Sequence, residues 1–124
     1  MGDQKKVLVV DDSATQRRDL RGIFEKAAYC VFEAEDGMAA LAVLRAETGV
    51  GAVFVDFNMP TMNGLEFIKR MRELDAYKKT AVFLVTTESA VAHRDEAKAL
   101  GVVAWIVKPV IPANVVKVLG AVLK

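Results

Sequence analysis

Residues 53–64 have the sequence Val-Phe-Val-Asp-Phe-Asn-Met-Pro-Thr-Met-Asn-Gly, an apolar run that stops at one carboxylate and continues into turn-forming residues. A continuous Val/Phe run bounded in this way is typical of a strand buried on both faces, as in a parallel sheet. Asp56 would then lie at the C-terminal tip of the strand, where open α/β sheets bind ligands. Residues 7–12, Val-Leu-Val-Val-Asp-Asp, have the same pattern. The sequence therefore predicts two strand tips that carry three acids: Asp11, Asp12 and Asp56.

The composition of the chain is that of one globular domain spanning residues 1–124. It is 53% hydrophobic and 27% charged, and 17 basic against 16 acidic residues give a net charge of +1. Such a balance provides no global field that would favour nucleic acid or a membrane. Cys30 is the only cysteine, which fits a reducing compartment. With no signal peptide or apolar span, we expect a soluble, cytoplasmic protein.

Strands and helices alternate along the whole chain. We predict strands at residues 6–10, 30–34, 52–55, 81–85 and 103–107. We predict helices after the capping residues Ser13 and Asp36, from Asn63-Gly64, over about 90–100, and from Pro112. Five βα units predict an α/β fold with an open, doubly wound parallel sheet, strand order 2-1-3-4-5, and helices on both faces. Strands 1 and 3 would then be neighbours, which brings the three acids to one crevice.

Three carboxylates at one crevice repel one another, which either raises a pKa or recruits a cation. Oxygen ligands in an open site suit Mg²⁺. The alternative to a cation site is that these acids are simply solvated loop residues. That alternative is favoured for Asp11 taken by itself, but not for all three acids at the tips of adjacent strands. Strand 4 ends at Thr86 and strand 5 at Lys108, so both would reach the same rim. A hydroxyl donor and a point positive charge are suited to the oxygens of a phosphoryl group.

This set of residues, one group per strand tip, resembles the response-regulator receiver domain, in particular its stand-alone chemotaxis (CheY-like) type. The resemblance covers essentially the whole chain and includes Gly64, which opens helix 3, and Pro109, whose peptide bond is usually cis in the family. It implies a flavodoxin-like/CheY-like (βα)5 sandwich. It also implies a regulatory phospho-acceptor of two-component signalling that catalyses only its own phosphorylation and dephosphorylation.

The resemblance implies a role for each site residue. Asp56 would be phosphorylated to an acyl phosphate, with Lys108 and Thr86 contacting the phosphoryl oxygens. Mg²⁺ would be held by Asp12, Asp56 and the backbone carbonyl of Asn58, with Asp11 acting mainly through water. Loop support is expected from Thr87, Glu88 and Pro109, and Asn58 and Glu88 would influence the hydrolytic water.

A switch is expected at Thr86 and Trp105. In the family an aromatic residue of strand 5, usually Tyr or Phe, swings into the space that the strand-4 hydroxyl vacates. Trp105 stands at that position and is bulkier. A static, partly buried Trp105 is therefore an equally open interpretation.

The implied partners are a histidine kinase as phosphodonor and a downstream protein such as a motor switch protein or a phosphotransfer protein, with a phosphatase as a further candidate. No nucleic acid or membrane partner is expected. A phosphorelay intermediate and a phosphate sink remain alternatives to a chemotaxis output. A Mg²⁺-dependent phosphohydrolase would typically carry Asp-x-Asp after strand 1, and a flavin-binding module would need a hydroxyl- or Gly-rich loop there. Both are disfavoured by the adjacent pair Asp11-Asp12.

The remaining charged residues are interpreted mainly as solvated. We expect His93, the only histidine, on a helix surface. A charged face on helix 1 could meet an acidic kinase or phosphatase, but solvation is favoured for its residues Arg17, Arg18 and Arg21. We interpret the basic residues of helix 3 and the following turn as solvated too: Lys69, Arg70, Arg72, Lys78 and Lys79. Helix 4 has a thin apolar face, mainly Val91, Ala97 and Leu100, which favours a mobile output face formed with strand 5 and helix 5.

Overall fold

A computed structural model describes residues 4–87 and 93–123 of the chain. The strands are β1 (Lys6–Val10), β2 (Cys30–Ala34), β3 (Val50–Asp56), β4 (Ala81–Thr86) and β5 (Val102–Val107). The helices are α1 (Ala14–Lys26), α2 (Gly37–Ala46), α3 (Gly64–Arg72), α4 (Arg94–Ala99) and α5 (Pro112–Val122), with a 3₁₀ turn at Asp75–Tyr77. Within these ranges no helix combines the length and apolarity needed to cross a bilayer.

All five strands form one parallel sheet in the order β2-β1-β3-β4-β5, which confirms the predicted fold. Val10 of β1 lies opposite Val55 of β3, so the two strands end side by side. The acids that follow these residues therefore reach the same edge of the sheet.

The core lies on both faces of the sheet, because successive strand residues point in opposite directions. Leu8 and Val10 pack on one side, in a cluster that includes side chains of α2 and α3. Val7 and Val9 pack on the other side, in a cluster that includes side chains of α1 and α5. Covering both faces explains why the central strands are almost continuously apolar.

Helix starts are set by short polar side chains, as the sequence predicts. The Ser13 hydroxyl accepts a hydrogen bond from the Gln16 amide at the start of α1. The Asp36 carboxylate accepts one from the Ala39 amide at the start of α2. Asn63 forms a reciprocal capping box at the start of α3. Such caps satisfy amides that the first helical turn leaves unpaired.

Element boundaries agree closely with the predictions for the first two strands and less well elsewhere. β3 extends two residues further at its start and one at its end than predicted, because Val50 pairs with Lys6 of β1. The described part of α4 begins at Arg94, and the predicted start near residue 90 lies outside the described ranges, as does Val91. Ala97 is buried and Leu100 is half-buried, as expected for a thin apolar face.

The interpretation of Arg72 as solvated was wrong. Its guanidinium donates to the carbonyls of Leu100 at 2.9 Å, Tyr77 at 3.0 Å and Thr80 at 2.7 Å. Burial lowers the pKa of this group. Arg72 thus ties the end of α3 to the start of β4 and the end of α4.

Candidate functional site

The three predicted acids meet at the C-terminal edge of the sheet. Asp56 is the last residue of β3, and Asp11 and Asp12 directly follow β1. One carboxylate oxygen from each lies within 4.8 Å of the other two. Asp11 and Asp56 are 3% and 6% exposed, whereas Asp12 is exposed to solvent. The cluster therefore has a buried floor and an open side.

Lys108 directly follows β5 and reaches into this cluster. Its ammonium lies 3.3 Å from Asp11 Oδ2 and 3.6 Å from Asp56 Oδ2. Its backbone amide donates to the carbonyl of Thr86 at 2.8 Å, which ties the tips of β4 and β5 together. The Lys108–Pro109 peptide bond is cis. One ammonium among three carboxylates leaves an excess of negative charge at the edge of the sheet.

Backbone amides hold the two buried carboxylates in place. The Ser13 amide donates to Asp11 Oδ1 at 2.9 Å, and the Asn58 amide donates to Asp56 Oδ1 at 3.3 Å. The Asp11 amide donates to the carbonyl of Ala34 on β2 at 3.1 Å. These contacts fix one oxygen of each acid and leave the other directed toward Lys108.

The electrostatic surroundings of Asp56 disfavour its ionised form. Burial raises the pKa of this carboxyl, and the charge of Asp11 raises it further. The Lys108 ammonium and the Asn58 amide lower the pKa, and the charge of Asp12 raises it. Ionised Asp56 therefore gains from any additional positive charge at the cluster.

The loop after β3 is packed closely against the site at Gly64. A side chain at this position would place its Cβ 2.8 Å from Leu84 Cδ2 and 2.9 Å from the carbonyl oxygen of Asp56. The Gly64 amide donates to the carbonyl of Phe57 at 2.9 Å. Glycine is required here by close approach of the backbone, which brings the start of α3 against the tip of β3.

The other predicted residues lie around the same rim. Thr86 is fully buried at the end of β4, whereas Thr87, Asn58 and Pro109 are exposed. Glu88 lies outside the described ranges. The structure thus places the Lys108 ammonium within ion-pair distance of Asp11 and Asp56. It places Thr86 at the last residue of β4.

Trp105 is half-buried and packs against the core cluster of the α2–α3 side. Its ring centre lies 6.3 Å from that of Phe57, the residue after Asp56. The ring of Phe57 also lies 4.9 Å from the ring of His93. His93, which directly precedes α4, is therefore half-buried beside an aromatic ring, so it lies at the surface of the helix start without being fully solvated.

Arg17 is a residue of the site region that sequence reasoning missed. It donates to the backbone carbonyl of Asp11 at 2.7 Å and to Glu33 Oε1 at 3.2 Å, so it is not solvated as expected. Arg21 also contacts Glu33, at 2.7 Å, but 43% of its side chain stays exposed, so it forms a surface ion pair on the solvated face that the sequence predicts. Positions 17 and 21 are one helical turn apart and share a face. That spacing alone does not reveal an acceptor on β2.

Comparison with known proteins decides which family this site belongs to. The family model of the response regulator receiver domain matches residues 7–120. The chain belongs to this receiver family. Its members are regulatory switch domains of two-component signalling, so this chain is a two-component response regulator.

Several chemotaxis proteins are similar to this chain over most of its length. The chemotaxis protein CheY1 of Helicobacter pylori is 39% identical over 108 residues, which is 86% of this chain and 87% of that protein. The CheY homolog of Campylobacter jejuni is 40% identical over 108 residues, 86% of this chain and 83% of that protein. The structure of Vibrio cholerae chemotaxis protein CheY4 matches with a TM-score of 0.91 at 38% identity, covering 97% of this chain and 99% of that one.

Proposed function

We propose that this receiver domain is a Mg²⁺-dependent phospho-acceptor that takes a phosphoryl group on Asp56 from a histidine kinase in the cytoplasm and signals by protein contact in chemotaxis or motility. The observation that carries the proposal is the cluster of three carboxylates within 4.8 Å, with one buried lysine beside them. Solvated loop acids would not converge on a mostly buried ammonium.

The donor set fits a magnesium ion. Three carboxylates and one ammonium carry a formal charge of −2 when all are ionised, which matches a divalent cation. All the candidate ligands are oxygens, and exposed Asp12 leaves the site open to the waters that Mg²⁺ retains. The residues that would hold the ion are Asp12, Asp56 and the carbonyl of Asn58, with Asp11 acting mainly through water. When bound, Mg²⁺ supplies positive charge that offsets charge on the transferring group.

Asp56 is the nucleophile of the proposed transfer. One of its oxygens bonds to phosphorus as the phosphorus–nitrogen bond of a phosphohistidine breaks, and the electron pair leaves with the imidazole. A small acyl phosphate would serve as an alternative donor. The Lys108 ammonium, already held between Asp11 and Asp56, binds a phosphoryl oxygen, and the Thr86 hydroxyl binds another.

Hydrolysis resets the switch. A water molecule attacks phosphorus, the bond between phosphorus and the Asp56 oxygen breaks, and free carboxylate and inorganic phosphate result. Asn58 and Glu88 are the residues proposed to influence this water, with Thr87 and Pro109 supporting their loops. The exposure of Asn58 supports access of solvent from that side.

The output surface proposed here is the β5 face, which consists of Val103, Trp105, Val107 and Ile111. The three aliphatic residues are 49%, 55% and 57% exposed in that order, and Trp105 is half-buried between them. Exposed apolar side chains that cluster in this way mark protein-binding surfaces. When Thr86 moves toward a phosphoryl group, Trp105 would reorient and change this face.

Phosphate acceptance is tested by intact-mass analysis after incubation with acetyl phosphate. We expect gain of one phosphoryl group in the presence of Mg²⁺, none after chelation, and none in Asp56→Asn. A matched control, Asp19→Asn on the exposed side of α1, should be labelled like the wild type. A phosphoryl gain that persists in Asp56→Asn would contradict the proposal.

The chemotaxis role is supported by the names of the similar proteins and needs a separate test. Deleting the gene in its source organism and tracking swimming cells should show loss of tactic responses, because a motor switch protein would no longer be contacted. Normal tactic responses, with phosphoryl groups passing onward to a phosphotransfer protein or simply accumulating, would favour a phosphorelay intermediate or a phosphate sink instead. A phosphatase acting on the domain would appear as faster loss of label in cell extract.

A further inference from the structure

Arg17 occupies the first turns of α1 and is largely buried, with 18% of its side chain exposed. Its Nη1 donates to the backbone carbonyl of Asp11 at 2.7 Å, and its Nε donates to Glu33 Oε1 at 3.2 Å. One planar guanidinium therefore joins the peptide group between Asp11 and Asp12 to the edge strand β2. A guanidinium can do this because its donors are fixed in one plane.

Glu33 is held in its turn by a second arginine. Its Oε2 accepts from Arg21 Nη1 at 2.7 Å, and Arg21 Nε also donates to Glu25 at 3.0 Å. Arg21, and less strongly Arg17, lower the pKa of the Glu33 carboxyl. Glu33 thus remains ionised at neutral pH, so the Arg17 guanidinium has a fixed counter-charge on β2.

We infer that Arg17 is a positioning residue for the divalent cation, with Glu33 as its anchor; this inference rests on the proposed function. The carbonyl oxygen of Asp11 lies in the same peptide plane as the amide of Asp12. Fixing that oxygen fixes the plane from which the Asp12 side chain departs. Arg17 therefore orients the exposed carboxylate of Asp12 without touching it.

The choice of acceptor matters for the charge of the site. Arg17 binds a neutral carbonyl of the acidic loop, and its charge is balanced by Glu33. A guanidinium that paired with Asp11 or Asp12 directly would occupy the place of the cation. Glu33 thus holds Arg17 beside the loop of Asp11 and Asp12, where it can order the backbone. Because Arg17 is already paired with Glu33, it does not compete with a cation for the carboxylates of that loop.

The expected effect follows from pre-organisation. A loop that is ordered before the cation arrives does not lose conformational freedom on binding. Removing groups that orient metal ligands typically weakens metal affinity about 10- to 100-fold. We expect about a tenfold weaker Mg²⁺ affinity in Arg17→Gln, at the lower end because the backbone contact from Asp11 to Ala34 remains.

The test is calorimetric titration of the purified full chain with MgCl₂, paired with phosphorylation rates at varied Mg²⁺. Arg17→Gln should raise the Mg²⁺ dissociation constant about tenfold. It should shift the Mg²⁺ concentration for half-maximal rate equally, with the rate at saturating Mg²⁺ unchanged. Glu33→Gln should change affinity in the same direction, and the double variant should be no weaker than the weaker single variant. Arg17→Lys should be intermediate, because one ammonium reaches only part of the two acceptors.

Arg18→Gln is the matched control, since Arg18 is the exposed neighbour on the same helix and carries the same charge. Equal losses in Arg18→Gln and Arg17→Gln would overturn the inference, because they would indicate a general charge effect. A dissociation constant for folded Arg17→Gln within twofold of the wild type would also overturn it. Should Arg17→Gln fail to fold, unchanged affinity in both Glu33→Gln and Arg17→Lys would overturn it. Wild-type protein that binds no Mg²⁺ would instead overturn the proposed function itself.

Discussion

Asp56 is surrounded by groups that act on its charge in opposite directions. Burial and Asp11 raise its pKa, while Lys108 at 3.6 Å lowers it. In the metal-free protein the folded state therefore holds the proton of Asp56 more tightly than the unfolded chain does. Ionised Asp56 lowers the stability of the fold until a cation is added, which is how a site built to bind positive charge behaves.

Asp56→Asn should stabilise the metal-free protein, by about 1 kcal/mol at neutral pH. The amide removes a like charge from Asp11 while keeping an oxygen for the Asn58 amide. Because the folded pKa of Asp56 is raised, the wild type loses stability relative to the variant as pH rises from about 3.9 through that raised value. Below this window the two should be equal. Urea unfolding with chelator over a pH series measures the difference.

Magnesium should reverse the order of stability. The wild type gains unfolding free energy with ligand concentration, whereas Asp56→Asn has lost one ligand and gains less. Equal stability of the two proteins at neutral pH without metal would show that the acids do not interact.

Lys108→Ala should destabilise the metal-free protein by about 2 kcal/mol, because Asp11 and Asp56 would keep their charges without a partner. In the double variant with Asp56→Asn the loss should be smaller, so a double-mutant cycle by denaturant unfolding should show coupling. Lys117→Ala, at an exposed position of α5, is the control and should be near neutral. Zero coupling would contradict the ion pair as described.

At the scale of elements, α4 is the least firmly packed helix of the described ranges. It has six residues, and Ala97 is its only buried one. Its C-terminal end is held by Arg72, which donates to the carbonyl of Leu100 at 2.9 Å. Besides this contact, α4 is held by the ring contact of His93 with Phe57 at its start and by the exposed ion pair of Glu96 with Lys69. A helix with so few buried contacts has low local stability.

Arg72→Met should lower the free energy of unfolding by about 2–3 kcal/mol, since it leaves several partly buried carbonyls without a charged donor. Amide hydrogen exchange should rise most in residues 94–102, where the anchor of α4 is lost. Arg70→Met, at an exposed position of the same helix, is the control. Unchanged exchange in α4 with a large loss of global stability would contradict the anchoring role.

Phosphorylation should change the fluorescence of Trp105, the only tryptophan of the chain. Its half-buried ring lies 6.3 Å from the ring of Phe57, which follows the proposed acceptor Asp56, so inward movement would bury it further. Emission recorded on addition of Mg²⁺ and acetyl phosphate, with Asp56→Asn as the control, tests this switch. Unchanged emission of protein shown by mass to be phosphorylated would mean that Trp105 is static.

At the scale of the whole molecule, the sheet could be predicted because its signal is local. Each apolar run with a polar end marks a strand, and alternation with helices restricts the topology to few arrangements. That topology brings residues 11, 56 and 108 together across long stretches of sequence, as the structure shows. The contacts of Arg17 and Arg72 could not be predicted in this way. Their acceptors lie on other elements, and nothing in the local pattern distinguishes an arginine that meets carbonyls from one that meets water.

The most direct test of the central claim locates the phosphoryl group on the chain. Borohydride reduces an aspartyl phosphate to homoserine, and peptide mass spectrometry then identifies the reduced position. After incubation with acetyl phosphate and Mg²⁺, we expect conversion at residue 56 alone, and none when the metal is chelated. Conversion at residue 11 or 12, or equal conversion without any divalent cation, would contradict an acidic cluster that needs a shared cation to make Asp56 its acceptor.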